Sequence, residues 1–301
     1  MNISNLPTEI PNPKTKDLDN KETIEILKLI NEEDALVALA VRDALKEIDK
    51  AVNLILECLK ANGRVFYVGA GTSGRVAFID AVELVPTYSL PEGIVIPVIA
   101  GGYEALSRSI EGVEDNEELG AEDLKRHSLN SKDIVVGLTA SGRTLYVGGA
   151  LRYAKQLGCK TILICNVGKP TLSNLADVVI SVETGPEVVA GSTRMKAGTA
   201  QKMVLNMIST TVMVKMGKVY DNLMVDVMVL NEKLKERAKN IVSRVTGVDS
   251  DVAEKNLERA GYNVKLAILT ILTGKDIEEC QKIIQKEPNL RKAIELMKAQ
   301  K

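Results

Sequence analysis

The 301-residue chain is 45% hydrophobic and 26% charged, and its 39 basic and 40 acidic residues leave a net charge of -1. That length buries a large core in one large domain or two modest ones, and a charge so near zero offers no global field to nucleic acid or an anionic membrane, so any anion site is local. His127 is the only histidine, which excludes multi-histidine metal sites and argues against a Ser-His-Asp triad, so neither a metal nor metal-assisted chemistry is expected.

Four scattered cysteines, Cys58, Cys159, Cys165 and Cys280, form no Cys-x-x-Cys pair and read as buried thiols of a reducing cytoplasm. The start, Met1-Asn2-Ile3-Ser4-Asn5, leads into no apolar core and is not read as a signal peptide. No run reaches the ~20 apolar residues of a membrane span.

In chain order, residues 1–19 are proline-rich and polar and predict an irregular arm. Helices are expected over about 22–30 and 33–61, where Leu36, Leu39, Ala40, Leu45, Ile48, Val52, Ile55 and Leu59 recur at helical spacing before Asn62-Gly63. Strands are read at 64–68, 94–100, 133–138, 160–165 and 177–182, with helices between most of them. That alternation predicts an α/β fold, a doubly wound parallel sheet of about five strands covered on both faces, with ligands at the carboxyl ends of its strands. A loop over 184–196 precedes a helical stretch to about 216, broken by Gly217-Lys218. A further helix is expected from about 223 to 246, and 249–301 reads as short helices punctuated by Gly261, Gly274 and Pro288. The expected division is an N-terminal arm with helices (1–63), a sugar-phosphate-type core (64–220) and a C-terminal helical region (221–301).

Two loops carry the chemistry. Gly69-Ala70-Gly71-Thr72-Ser73-Gly74-Arg75 joins a strand to a helix. Its glycines permit a tight turn, and the free N–H groups of the helix start, with the hydroxyls of Thr72 and Ser73, suit a phosphate. The same glycines fit a dinucleotide fingerprint, but the next strand runs into Ala100-Gly101-Gly102 without the acidic residue that holds a ribose. A plain structural turn is the other alternative. The second loop, Thr139-Ala140-Ser141-Gly142-Arg143-Thr144, repeats the arrangement, and two such loops suggest one small phosphorylated ligand gripped from both sides. Arg75 and Arg143, as surface or subunit-contact candidates, rank behind the hydroxyls.

The motifs GAGTSGR at 69–75, Glu83 with Pro86-Thr87, Glu111 to Asp115, ASGRT at 140–144 and GSTRMKAGTAQK at 191–202 resemble the N-acetylmuramic acid 6-phosphate etherases, within the wider class of sugar isomerase (SIS) domains. The likeness runs from Leu6-Pro7-Thr8-Glu9 to Asn222-Leu223-Met224-Val225-Asp226. It departs at Val76-Ala77 and at Val82 to Pro86 without removing a charged group. The resemblance implies cleavage of a lactyl ether to N-acetylglucosamine 6-phosphate and D-lactate, with no cofactor. It implies Glu83 and Glu114 as the catalytic pair; substrate and phosphate contacts are expected at Gly71, Thr72, Ser73, Ser141, Gly142, Thr144, Ser192 and Thr193.

From the residues alone, Glu114 reads as a solvated acidic helix start, and Glu83 equally as a helix-end carboxylate paired to a nearby Arg or Lys. If Glu83 works as an acid, partial burial in the apolar stretch 79–85 is expected to raise its pKa. A helix beginning near Gly74 carries Glu83 roughly 13 Å along its axis. Either that helix breaks early, or Glu83 serves a partner's site. A homodimer is therefore expected, with the apolar stretch through Val204, Leu205, Met207, Ile208, Val212, Met213 and Val214 as its interface. Two other readings are a non-catalytic sugar-phosphate sensor, which would lack a DNA-reading module here, and an aldose-ketose isomerase sharing the enolisation step.

Overall fold

The computed structural model describes residues 6–299. The fold separates into two compact units: residues up to 81 with 93–209, and residues 82–92 with those from 210 onward.

In the first unit, the helices α1 (Thr23–Ala35), α2 (Val37–Asp43) and α3 (Leu45–Lys60) precede the strand β1 (Val65–Gly69) and the helix α4 (Gly71–Tyr88), which runs on into the second unit. There follow β2 (Val95–Ile99), α5 (Glu104–Ser107), α6 (Glu117–Arg126), β3 (Ile134–Thr139), α7 (Leu145–Gln156), β4 (Lys160–Cys165), β5 (Val178–Ser181) and α8 (Lys196–Lys215), whose residues from 210 onward fall in the second unit. The five strands are parallel in the order β2-β1-β3-β4-β5, and each lies within two residues of its expected ends. Every residue of β1 and β3 is buried, as a sheet covered on both faces requires. From β1 the chain moves outward to β2 and then returns to β3 on the other side. The carboxyl ends of β1 and β3 therefore flank the switch point at which such sheets bind ligands.

Alternation along the strands divides the core. Phe66, Val68, Val135 and Leu163 pack with Tyr146, Val147, Ala150 and Leu151 of α7. On α3, Ile48, Val52 and Ile55 are buried, and the helix lies against β1 and β5. Helices α6 and α7 approach closely because Gly120 and Gly149 carry no side chains: a Cβ on either would run into a backbone carbonyl oxygen, that of Tyr146 or of Glu117.

The single helix expected over 33–61 is instead three helices, jogged at Leu36 and Ala44, where the N–H groups turn to i−3 carbonyls (Leu36 N to Glu33 O, 3.2 Å; Ala44 N to Val41 O, 3.1 Å). No Gly or Pro marks these jogs. Glu33, buried in the last turn of α1, meets Lys196 at 2.6 Å just before the first jog.

The second unit holds the short hairpin β6 (Val219–Tyr220) and β7 (Leu223–Met224), then α9 (Glu232–Thr246), α10 (Ser250–Arg259), α11 (Val264–Thr273), α12 (Ile277–Lys286) and α13 (Leu290–Ala299). The helix expected from 223 begins only at 232. Residues 223–230 alternate rather than wind: Val225 and Val227 enter the core of this unit beside Val242, Leu257 and Ala293. The Asn231 side chain then accepts from Leu234 N and caps α9. Among the described residues, no helix is long and apolar enough to cross a membrane.

Candidate functional site

The first loop leaves β1 at Gly69 and enters α4 at Gly71, whose φ of +53° suits glycine and whose missing Cβ faces open space. A Cβ at Gly74 would meet Ile99 Cγ1 at 2.5 Å and Gly69 O at 2.8 Å, so its absence lets α4 sit tightly on the sheet. Thr72 and the buried Ser73 thus stand at the helix start, where unpaired N–H groups gather.

In the second loop the Thr139 hydroxyl bonds those of Thr144 (2.8 Å) and Ser141 (3.4 Å). Thr144 stands at the N-cap of α7 without capping it through its side chain. The N–H of Tyr146 is taken instead by the backbone carbonyl of Glu114 (3.0 Å). That bond pins Glu114 beside the Ser141–Thr144 loop. A second anchor precedes it: Arg75, in the first turns of α4, donates to the carbonyls of Ala105 (2.9 Å) and Arg108 (3.0 Å), fixing the segment that leads to Glu111 and Glu114. Arg75 is thus a strut for that segment.

A third wall comes from the start of α8. The buried Glu187 carboxylate accepts from the N–H groups of Lys196 (2.9 Å) and Ala197 (3.0 Å), and burial pushes its pKa up against those bonds. Lys196 in turn reaches Glu33, which also accepts from Asn12 (2.9 Å) and Lys14 (3.0 Å) of the N-terminal arm. Through this cluster the arm lies along residues 186–191, with Thr15 Oγ1 on Val188 O (2.8 Å) and Gly191 N on Thr8 O (2.9 Å).

Together these walls enclose a cavity of about 270 Å³, close to the lower end for small-ligand sites. Gly71, Thr72, Ser73, Ser141, Thr144, Thr193 and Glu114 of the expected set line it, joined by Glu9, Arg75 and Glu111. Gly142 and Ser192 are not among its lining residues. Gly142, at φ +68°, packs against Pro170 and Val167, and its role is to turn the loop. Glu83 lies in the second unit, on the last turns of α4, and does not line the cavity. The partial burial expected of it is not observed, because its side of α4 faces outward with Ile79 and Val82. Nor does α4 break early: it is continuous from Gly71 to Tyr88. A larger cavity of about 850 Å³ lies in the second unit beside β7 and α9, but it has no strand end of the parallel sheet and no glycine loop.

Glu9, Glu33 and Glu187 are the residues that sequence reasoning missed as parts of this region. Glu33 sits in an ordinary amphipathic helix, and Glu187 in a loop with no periodicity. Only Glu9 left a signal, as part of the Leu6-Pro7-Thr8-Glu9 run, and that run reads locally as an irregular arm.

Comparisons with known proteins agree with this geometry. The glucokinase regulatory protein N-terminal SIS domain family matches residues 47–155, and the SIS domain family matches residues 111–211. A phosphoheptose isomerase from Francisella tularensis shares the fold at 18% identity, covering 63% of this chain and 100% of its own with a TM-score of 0.50. An N-acetylmuramic acid 6-phosphate etherase from Pseudothermotoga lettingae is 70% identical over 98% of this chain and 99% of its own. One from Petrotoga mobilis is 53% identical over the same shares. The chain belongs to the N-acetylmuramic acid 6-phosphate etherase family.

Proposed function

We propose that this chain cleaves the D-lactyl ether of N-acetylmuramic acid 6-phosphate in the cavity at the carboxyl ends of β1 and β3, as an enzyme of cell-wall amino sugar recycling. The observation that carries the reading is the joining of both hydroxyl loops and Glu114 around one cavity. The phosphate takes hydrogen bonds from Ser73, Thr72, Ser141, Thr144 and Thr193 and from the free N–H groups at the start of α4, with Gly71, Gly142 and Ser192 shaping those loops. In the open-chain aldehyde the C2 proton is acidic. Glu114 removes it, the C3–O bond breaks, and the departing lactate oxygen takes a proton from Glu83. Water then adds its hydroxyl to C3 and a proton returns to C2, giving N-acetylglucosamine 6-phosphate and D-lactate. No cofactor enters the scheme.

Glu83 reaches a site by way of a second chain. Its support is the exposed apolar setting of the carboxylate: Ile79 is 51% and Val82 43% exposed on the same helix, a face suited to cover by a partner. The interface expected at residues 204–214 is less apt, since Val204, Leu205, Ile208, Val212 and Met213 are already buried within the chain. Exposed Ile24, Leu27, Leu39 and Leu45 on α1–α3 offer a better homodimer surface. Four free, buried cysteines suit a cytoplasmic protein.

Solvent exchange tests the roles. In deuterium oxide, Glu83→Gln should release no lactate yet still exchange the C2 proton, whereas Glu114→Gln should lose both. Exchange in the Glu114 variant but not in the Glu83 variant would reverse the assignment.

A further inference from the structure

We propose that Glu9, on the N-terminal arm, is a substrate-binding residue that reads the sugar rather than the phosphate: its carboxylate accepts hydrogen bonds from the hydroxyl or acetamido N–H donors of the amino sugar. The inference rests on the reading that the cavity between the two glycine loops takes the sugar phosphate.

Three observations carry it. Glu9 lines the cavity, half-buried, and among the described residues its side chain has no hydrogen-bond or ion-pair partner. The arm is nevertheless held in place on both sides of it. Glu9 N bonds Leu6 O (2.9 Å) to close a turn, Thr8 O accepts from Gly191 N, and Asn12 and Lys14 bind the buried Glu33–Lys196 pair. The carboxylate also rests over Gly191, where a Cβ would stand 2.9 Å from Glu9 Oε2. A buried ion pair, a close glycine and a turn thus present one carboxylate to an anion-binding cavity.

Such a group is unfavourable for phosphate binding unless something compensates. Arg75 is the only cation among the described lining residues, and its guanidinium is committed to the carbonyls of Ala105 and Arg108. An ionised carboxylate only accepts hydrogen bonds, so its partners must be donors brought by the ligand. The phosphate and the lactyl carboxylate bring negative charge. The hydroxyls and the acetamido N–H bring donors. Glu9 would therefore favour a sugar phosphate over inorganic phosphate.

The test compares affinities for N-acetylglucosamine 6-phosphate and inorganic phosphate in the full-length wild type, Glu9→Ala, Glu9→Gln and Gly191→Ala, with Ser73→Ala as reference and thermal melts as folding controls. Glu9→Ala should weaken sugar-phosphate binding by about tenfold or more, as for loss of a hydrogen bond to a charged group, while inorganic phosphate binds equally well or better. Glu9→Gln should fall between. Gly191→Ala, at a φ of +77° that favours glycine, should lower the melting temperature as well, and where the melt shows it folded it should mimic the loss without changing charge, by displacing the carboxylate. In turnover, KM should rise more than kcat falls. Equal weakening of both ligands by Glu9→Ala would mean that the arm is merely structural, and unchanged sugar-phosphate affinity would overturn the proposal outright. Ser73→Ala separates the two levels: if it leaves both ligands unaffected, the cavity reading fails, whereas if it weakens both and Glu9→Ala weakens neither, only the role of Glu9 fails.

Discussion

Replacing Glu33 with alanine should destabilise the first unit more than any surface change. The Glu33 side chain is 4% exposed and the Lys196 side chain 2%. Lys196 Nζ donates to Glu33 Oε2 at 2.6 Å, and Asn12 and Lys14 complete the carboxylate's bonds at 2.9 and 3.0 Å. Glu33→Ala strands a buried ammonium, for which removal of one partner of a buried pair costs about 3–5 kcal/mol. At about 2–4 °C per kcal/mol for a unit of this size, the melting temperature should fall by about 6–20 °C. The double variant Glu33→Ala/Lys196→Met removes both charges and should recover part of that loss.

The pH dependence has a definite sign. Burial raises the Glu33 pKa, but the hydrogen bonds from Lys196 and Lys14, with Asn12, outweigh it and hold the carboxyl below its ordinary value of 4.5. The native state therefore binds this proton less readily than the unfolded state. The stabilisation is full above about pH 4.5 and fades as pH falls through the lower native value. Calorimetry of wild type and variant across pH 3–8, a range spanning about the ordinary carboxylate values, should show a gap that is widest near neutrality and narrows in acid. A variant melting within about 2 °C of wild type at pH 7, under the same size scaling, would refute the assignment of the pair as a keystone.

Two further outcomes are expected. Gly149→Ala should lower stability by roughly 1–3 kcal/mol, the usual cost of overpacking, and should raise protease sensitivity at 109–116, because separating α6 from α7 disturbs the Glu114 carbonyl bond to Tyr146; an unaltered melt would show that the helices can part freely. Co-expressed Glu83→Gln and Ser141→Ala/Thr144→Ala chains should regain partial activity through hybrid dimers, and no recovery would count against a shared site.

The sheet and the two glycine loops were legible because their signals are local: β-branched runs of five or six residues, then glycines and hydroxyls before a helical pattern. The hairpin at 219–224 was not, since Leu223 to Leu230 is apolar enough to pass for a helix and only burial of alternate residues shows it to be extended. Glu33 and Glu187 were illegible for another reason. Their partner Lys196 lies 163 and 9 residues away, and neither separation has a periodicity to betray it. The helical spacing of 79–85 places Glu83 on α4 but does not show which side of it is covered: the apolar neighbours that suggest burial, Ile79 and Val82, share its exposed side.

The central claim is that the etherase reaction takes place between the two hydroxyl loops. The most direct measurement is D-lactate release from N-acetylmuramic acid 6-phosphate by wild type, Ser73→Ala and Ser141→Ala over a range of substrate concentrations. Wild type should release lactate, and each serine variant should raise KM by about 10- to 150-fold, the equivalent of one charge-assisted hydrogen bond of about 1.5–3 kcal/mol. Because the phosphate is held alike in the ground and transition states, kcat should change little. Folded wild-type protein that releases no lactate, or serine variants with unchanged KM, would contradict the account.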